Sequence, residues 1–136
     1  MAYTDNFRRQ HQDLLAMAGE IATKLKAQPF DARGLRNLLS ALAGKLTVHL
    51  TMEDKALYPR LVQVNVENSR GLAEAFQQEM GGLAATFATY NQKWQINAIA
   101  ADPAGFSRDT HAVFAAIGRR IARENSELYP LADRAL

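Results

Sequence analysis

Along four stretches of the chain, apolar residues return every three or four positions, and nowhere do apolar and polar residues alternate with the period of a strand. The first stretch runs from about Asp5 to Gln28, with Phe7, His11, Leu14, Ala18, Ile21 and Leu25 on one stripe and Pro29 as its stop. The second opens after Asp31, a good N-cap, and aligns Leu35, Leu38, Leu42, Leu46, His49 and Glu53 until Tyr58 and Pro59. From about Ser69 to Asn97 a third stripe carries Leu72, Phe76, Met80, Leu83, Phe87, Tyr90 and Trp94, with an irregularity expected at Gly81 and Gly82. The fourth begins near Asp102 and Pro103, or at Ser107, and aligns Val113, Ile117, Arg120, Glu124 and Leu128 before Tyr129 and Pro130. Connections this short between long helices favour antiparallel neighbours. The predicted fold class is therefore all-α, an up-down-up-down antiparallel four-helix bundle forming one domain over residues 1–136.

Composition narrows the chemistry. Sixteen Lys and Arg oppose fourteen Asp and Glu, a net charge of +2, so no basic surface for nucleic acid is expected. No apolar run approaches a membrane span, and the start MAYTDNFRRQHQ has no secretory pattern, so no membrane partner and a cytoplasmic location are expected. The chain has no cysteine, which removes thiolate metal sites, iron–sulfur clusters and thiol nucleophiles. Any metal here must take His, carboxylate or solvent ligands.

Polar residues interrupt these apolar stripes at His11, His49, Glu53, Arg120 and Glu124. His49 and Glu53 stand four apart, so imidazole and carboxylate share one helix face; His11 and Glu124 also face inward. A charge on a core stripe is costly unless it is paired or holds a metal. A short internal repeat joins two of the stripes. Residues 49–59 read HLTMEDKALYP and residues 120–130 read RIARENSELYP, sharing Glu, a polar residue after it, and Leu-Tyr-Pro. In this register Arg120 stands where the first copy has His49. If the second and fourth helices occupy diagonal corners, Glu53 and Glu124 converge.

The early His in FRRQHQDLL, the segment HLTMEDKALYP, Glu79 beside the third-helix ligand position and the terminal Glu-x-x-x-Leu-Tyr-Pro together resemble the hemerythrin HHE cation-binding family, over essentially the whole chain. The resemblance implies non-haem iron, held inside the bundle by histidines from all the helices and by two carboxylates. Carried over residue by residue, it makes His11, His49, Glu53 and Glu124 the metal ligands. The histidines expected for a second iron would fall at Phe76, Met80 and Arg120, none of which can replace them well. The set is thus half complete, and one metal at most is expected.

Two outcomes follow. Either a single ion, iron or another divalent metal, is held by His11, His49, Glu53 and Glu124 beside a charge-balancing Arg120, or no metal is held and Arg120 ion-pairs with Glu53 and Glu124. The first reading makes the protein a metal-binding or metal, oxygen or redox-sensing protein, with dioxygen or nitric oxide as the ligand class the resemblance brings. The second makes it an interaction or regulatory module with an unknown protein partner. Enzymatic activity is not expected; a mononuclear iron enzyme using two histidines and a carboxylate is the weakest alternative. His111 falls off the stripe and reads as structural or exposed, and Glu79 reads as solvated, with an inward swing left open. Tyr58 and Tyr129 read first as rings that close the bundle, with hydrogen-bond donation near the site left open; Met17, Met52 and Met80 read as packing atoms, and Tyr90 with Trp94 as the far end.

Overall fold

The structure, a computed structural model, describes residues 2–136, and among them every regular element is helical. The order is α1 (Asp5–Leu25), α2 (Ala32–Met52), α3 (Tyr58–Val64), α4 (Ser69–Met80), α5 (Leu83–Lys93), α6 (Ile96–Ala101), α7 (Pro103–Arg123) and α8 (Tyr129–Ala135). Two π-helical turns, Glu53–Leu57 and Glu124–Leu128, join α2 to α3 and α7 to α8 without a break.

Helix starts follow the polar signals. Asp31 accepts a hydrogen bond from the Gly34 amide at 2.9 Å, and Asp102 accepts one from Gly105 at 3.0 Å, each satisfying a first-turn N–H that has no partner inside the helix. Several helix ends differ from expectation. α1 stops at Leu25 rather than Gln28. The third stretch divides at Gly81 and Gly82 into α4 and α5, and α5 ends at Lys93, short of Asn97. There the Arg36 guanidinium takes the carbonyls of Asn91 and Trp94 at 2.9 and 2.8 Å, filling acceptors that a further helical turn would have used. The six-residue α6 that follows was not foreseen, because one buried anchor, Ile99, makes no periodic stripe.

Pro59 and Pro130 do not stop their helices. A proline clashes with the carbonyl four residues earlier and lacks the N–H that would bond to it. The π-helical turn widens the backbone at that point: the Tyr58 amide bonds to the Glu53 carbonyl and the Tyr129 amide to the Glu124 carbonyl, each five residues back. Helical chain therefore continues through both prolines.

α1 packs on α2 and α7, and α5 packs on α2 and α7, which closes a ring of long helices. Beyond the π-helical turns, α3, α4 and α8 pack on one another. The buried apolar residues form two clusters. One, with Leu14, Leu46, Phe87, Trp94, Phe106 and Ile117, fills the ring; the other, with Phe7, Leu57, Leu61, Phe76, Leu128 and Ala132, fills the end bounded by α3, α4 and α8. Met52 is 41% exposed and packs in neither, so its expected packing role is corrected. No helix among the described residues is long and apolar enough to cross a membrane.

Candidate metal centre

A buried polar layer touches both apolar clusters. His11 comes from the second turn of α1, His49 from the last turn of α2, Arg120 from the last turn of α7, and Glu53 and Glu124 open the two π-helical turns. All five are at most 2% exposed. One ligand atom each from His11, His49, Glu53 and Glu124 can be chosen so that all lie within 4.8 Å of one another. A cavity of about 10 Å³ opens among them, walled also by Leu14, Leu83 and Arg120. That is close to the smallest volume that holds one water-sized sphere.

The π-helical turns explain how so many polar groups share one layer. Glu53 and Tyr58 are five apart, as are Glu124 and Tyr129, and in a regular α-helix such a pair diverges by roughly 140° around the axis. The wider turn brings both to the inner side, and the two copies reach across to each other. Tyr58 donates a hydrogen bond to Glu124 Oε2, and Tyr129 donates one to Glu53 Oε2. Of the two roles open to these tyrosines, closing the bundle end and donating hydrogen bonds near the site, the second is present: each donates to Oε2 of the opposite copy's glutamate.

Both histidines are oriented from behind. His49 Nδ1 lies 2.5 Å from Gln10 Oε1, and His11 Nδ1 lies 2.8 Å from Asn125 Oδ1. A carbonyl oxygen only accepts, so each ring can donate from Nδ1; at His49 this leaves the Nε2 lone pair turned inward, while at His11 it is the Nε2 atom that faces the centre. His11 Nε2 is 3.1 Å from Glu124 Oε1 and 2.9 Å from the Tyr129 hydroxyl, and the His11 and Tyr129 rings stack at 5.0 Å. His49 Nε2 lies 3.0 Å from Glu53 Oε1, yet it has no hydrogen-bond partner. Two imidazole Nε2 atoms and two carboxylates converging on one small cavity fit a divalent cation, and the unpartnered His49 Nε2 is the atom such an ion would satisfy.

Arg120 completes the layer. Its Nε donates to Glu124 Oε2 at 3.1 Å, Nη1 to the Met80 carbonyl at 3.4 Å, and Nη2 to Glu53 Oε1 at 3.3 Å and Asp54 Oδ1 at 2.7 Å. The guanidinium also lies over the Tyr58 ring at 5.2 Å. Its closest anion is thus Asp54, which is partly exposed, and not either glutamate of the layer.

Electrostatics separate the two carboxylates. Burial, and then the neighbouring Glu124 charge, push Glu53 well above the ordinary carboxylate range. Burial also works to raise Glu124, but the hydrogen bond with His11 and the Arg120 charge outweigh it and hold that group below its ordinary value. Burial depresses His49 to about 4, so its ring is neutral near pH 7 and available as a ligand. Burial would lower Arg120, but the neighbouring Glu124 and Glu53 carboxylates raise it, and burial raises both Tyr58 and Tyr129.

The remaining candidates lie elsewhere. Glu79 is turned outward to Arg119, at 3.4 Å, and to Arg123, and His111 is exposed, as its position off the stripe implied. Phe76 is buried in the apolar end, with the Arg123 guanidinium over its ring at 4.7 Å. Gln10, Asp54 and Asn125, which orient the layer, were not singled out from the sequence. Their signal was adjacency: each is the chain neighbour of His11, Glu53 or Glu124, and the repeat did mark a polar residue after each glutamate.

The chain matches the family described as Hemerythrin, the Hemerythrin HHE cation binding domain, over residues 3–132. It belongs to that family. No curated protein and no solved structure matches it.

Proposed function

We propose that this protein is a non-haem metal-binding protein in which one divalent ion is held by His11, His49, Glu53 and Glu124, and that it serves as a metal, oxygen or redox sensor rather than an oxygen carrier. The observation that carries the reading is the buried, unpartnered His49 Nε2, aimed into a cavity shared with another inward imidazole and two carboxylates. Family membership supports a cation as the occupant. In the same reading the ring of α1, α2, α5 and α7 is an up-down-up-down bundle, and the chain is one domain.

Charge supports a single ion. Arg120 brings one positive charge to three carboxylates, Asp54 at 2.7 Å, Glu124 at 3.1 Å and Glu53 at 3.3 Å, and the two negative charges left over are what one divalent cation would balance. A second ion would meet Arg120 at close range and find Phe76 and Met80 where the family has histidines. Nitrogen and oxygen donors without thiolate suit Fe(II), Mn(II) or Zn(II), and iron is the metal the family implies. An iron ion there would supply one-electron chemistry and a site for a small diatomic ligand such as dioxygen or nitric oxide. The protein's own residues do the positioning. Gln10 and Asn125 fix the imidazoles, Tyr58 and Tyr129 hold the outer carboxylate oxygens, and the apolar clusters exclude water.

The competing reading is a metal-free module, favoured by the contacts Arg120 makes with both glutamates. Those contacts do not supply a donor to His49 Nε2. The test is elemental analysis after exposure of metal-free protein to Fe(II), Mn(II) or Zn(II) and gel filtration, together with melting. Retention of one equivalent, and stabilisation of about 2.7 kcal/mol at a hundred times the dissociation constant, is expected. No retention of any of them, with unchanged melting, overturns the proposal.

A further inference from the structure

We propose, resting on the single-ion reading above, that the groove between α1 and α2 is the route by which a divalent cation reaches the centre, with the His49 imidazole as its inner door and Gln10 as the latch. The groove is a cavity of about 260 Å³ lined by Gln10, Asp13, Leu14, Lys45, Val48 and His49, with the bare backbone of Gly44 on its rim. The small central cavity is lined in turn by His49 and Leu14, so these two side chains alone belong to both walls. His49 is therefore a partition between solvent-accessible space and the space that holds the ligand atoms.

The latch is the 2.5 Å contact between His49 Nδ1 and Gln10 Oε1. Gln10 is half-buried and lines the groove, so it can release the ring without disturbing the core. A ring freed from Gln10 meets an incoming ion with its lone pair, and re-forming the contact turns that lone pair, with the ion, inward. Gly44 borders open space: a β-carbon placed there would meet nothing within 4 Å, so a large side chain at this position can project into the passage.

Charge distinguishes this groove from the one on the opposite side. A cavity of about 240 Å³ between α4, α5 and α7, lined by Glu79, Met80, Leu83 and Arg119, also approaches the centre through Leu83. Arg120 stands behind it, donating to the Met80 carbonyl, and repels any cation coming that way. On the α1–α2 side the charged pair at the rim, Asp13 and Lys45 at 3.3 Å, cancels itself, and no fixed cation stands between the groove and His49.

The experiment is stopped-flow loading of the metal-free full chain with Co(II), whose visible absorption reports coordination, alongside equilibrium titration. Gly44→Phe fills the passage at an exposed helical position where glycine is the poorer helix former, so folding is not threatened. It is expected to slow loading on the order of tenfold or more with an unchanged equilibrium affinity. Val48→Trp, on the same rim, repeats the test from a second position and is expected to act likewise. Gln10→Ala is expected to speed both loading and release while weakening retention about 10- to 100-fold. Ala116→Phe, in the opposite groove, is expected to load at the wild-type rate. The proposal is overturned if both rim variants load at the wild-type rate, or if Ala116→Phe slows loading as much as they do. Wild-type protein that binds neither Co(II) nor any of Fe(II), Mn(II) and Zn(II) overturns the metal reading itself, whereas normal titration with rates insensitive to the rim removes only the route.

Discussion

At the end of α2 stand His49, Glu53 and Tyr58; at the end of α7, in the same register, stand Arg120, Glu124 and Tyr129. Both sets ride on a π-helical turn, and each tyrosine bonds to the other set's glutamate. The backbone device and the carboxylate are thus duplicated, while the first residue differs. In one copy it is a neutral ring with an unpartnered lone pair; in the other it is a fixed cation satisfied by Glu53, Asp54 and Glu124. One framework holds a place for a removable charge and a place where the charge is built in.

Substituting that first residue in each copy should break the symmetry most visibly. Arg120→Leu leaves two buried carboxylates without their cation and is expected to destabilise the metal-free protein by about 3–5 kcal/mol in urea unfolding. His49→Leu removes a neutral ring with one hydrogen bond and should cost only about 1 kcal/mol. Equal losses in the two variants would mean that Arg120 is not the counter-charge described.

Acid should reach the α2 copy through His49. Its folded value of about 4 lies below the ordinary 6.5, so the folded state binds fewer protons than the unfolded chain. The corresponding stability is fully present above pH 6.5 and is lost as pH falls through the folded value near 4. On the order of 3 kcal/mol is at stake. Glu53 works in the opposite sense, because a raised carboxyl favours the fold where it is protonated and loses that advantage as pH rises through its folded value. The His49 part is isolated by comparing wild type with His49→Leu in urea unfolding from pH 8 to 4. Parallel profiles would contradict it.

A smaller difference should separate the tyrosines. Tyr129 provides the hydrogen bond to Glu53 Oε2, whereas Glu124 Oε2 also accepts from Arg120 Nε. Tyr129→Phe is therefore expected to cost about 1–3 kcal/mol and Tyr58→Phe about 1 kcal/mol, measured by denaturant midpoint. The reverse order would show that Arg120 does not share the load at Glu124.

What could be read from the sequence follows the physics of each feature. Long stripes such as Leu35, Leu42, Leu46 and His49 repeat often enough to define a buried face, and the polar residues interrupting them, His11, His49, Glu53, Arg120 and Glu124, are all buried. The π-helical turns were hidden because Pro59 and Pro130 read as stops when only α-helical spacing is considered. With the turns hidden, Tyr58 and Tyr129 could not be placed beside the glutamates. Gln10 and Asn125 act through single side-chain contacts across helices, to His49 and His11, which periodicity along one helix does not encode.

The most direct test of the central claim is an anomalous-difference map collected at the absorption edge of the metal retained by the protein. One peak per chain is predicted, in contact with His11 Nε2, His49 Nε2 and both glutamates, with Arg120 still paired to Asp54. Two peaks in the layer, or none there while a metal is bound elsewhere on the chain, would contradict the account.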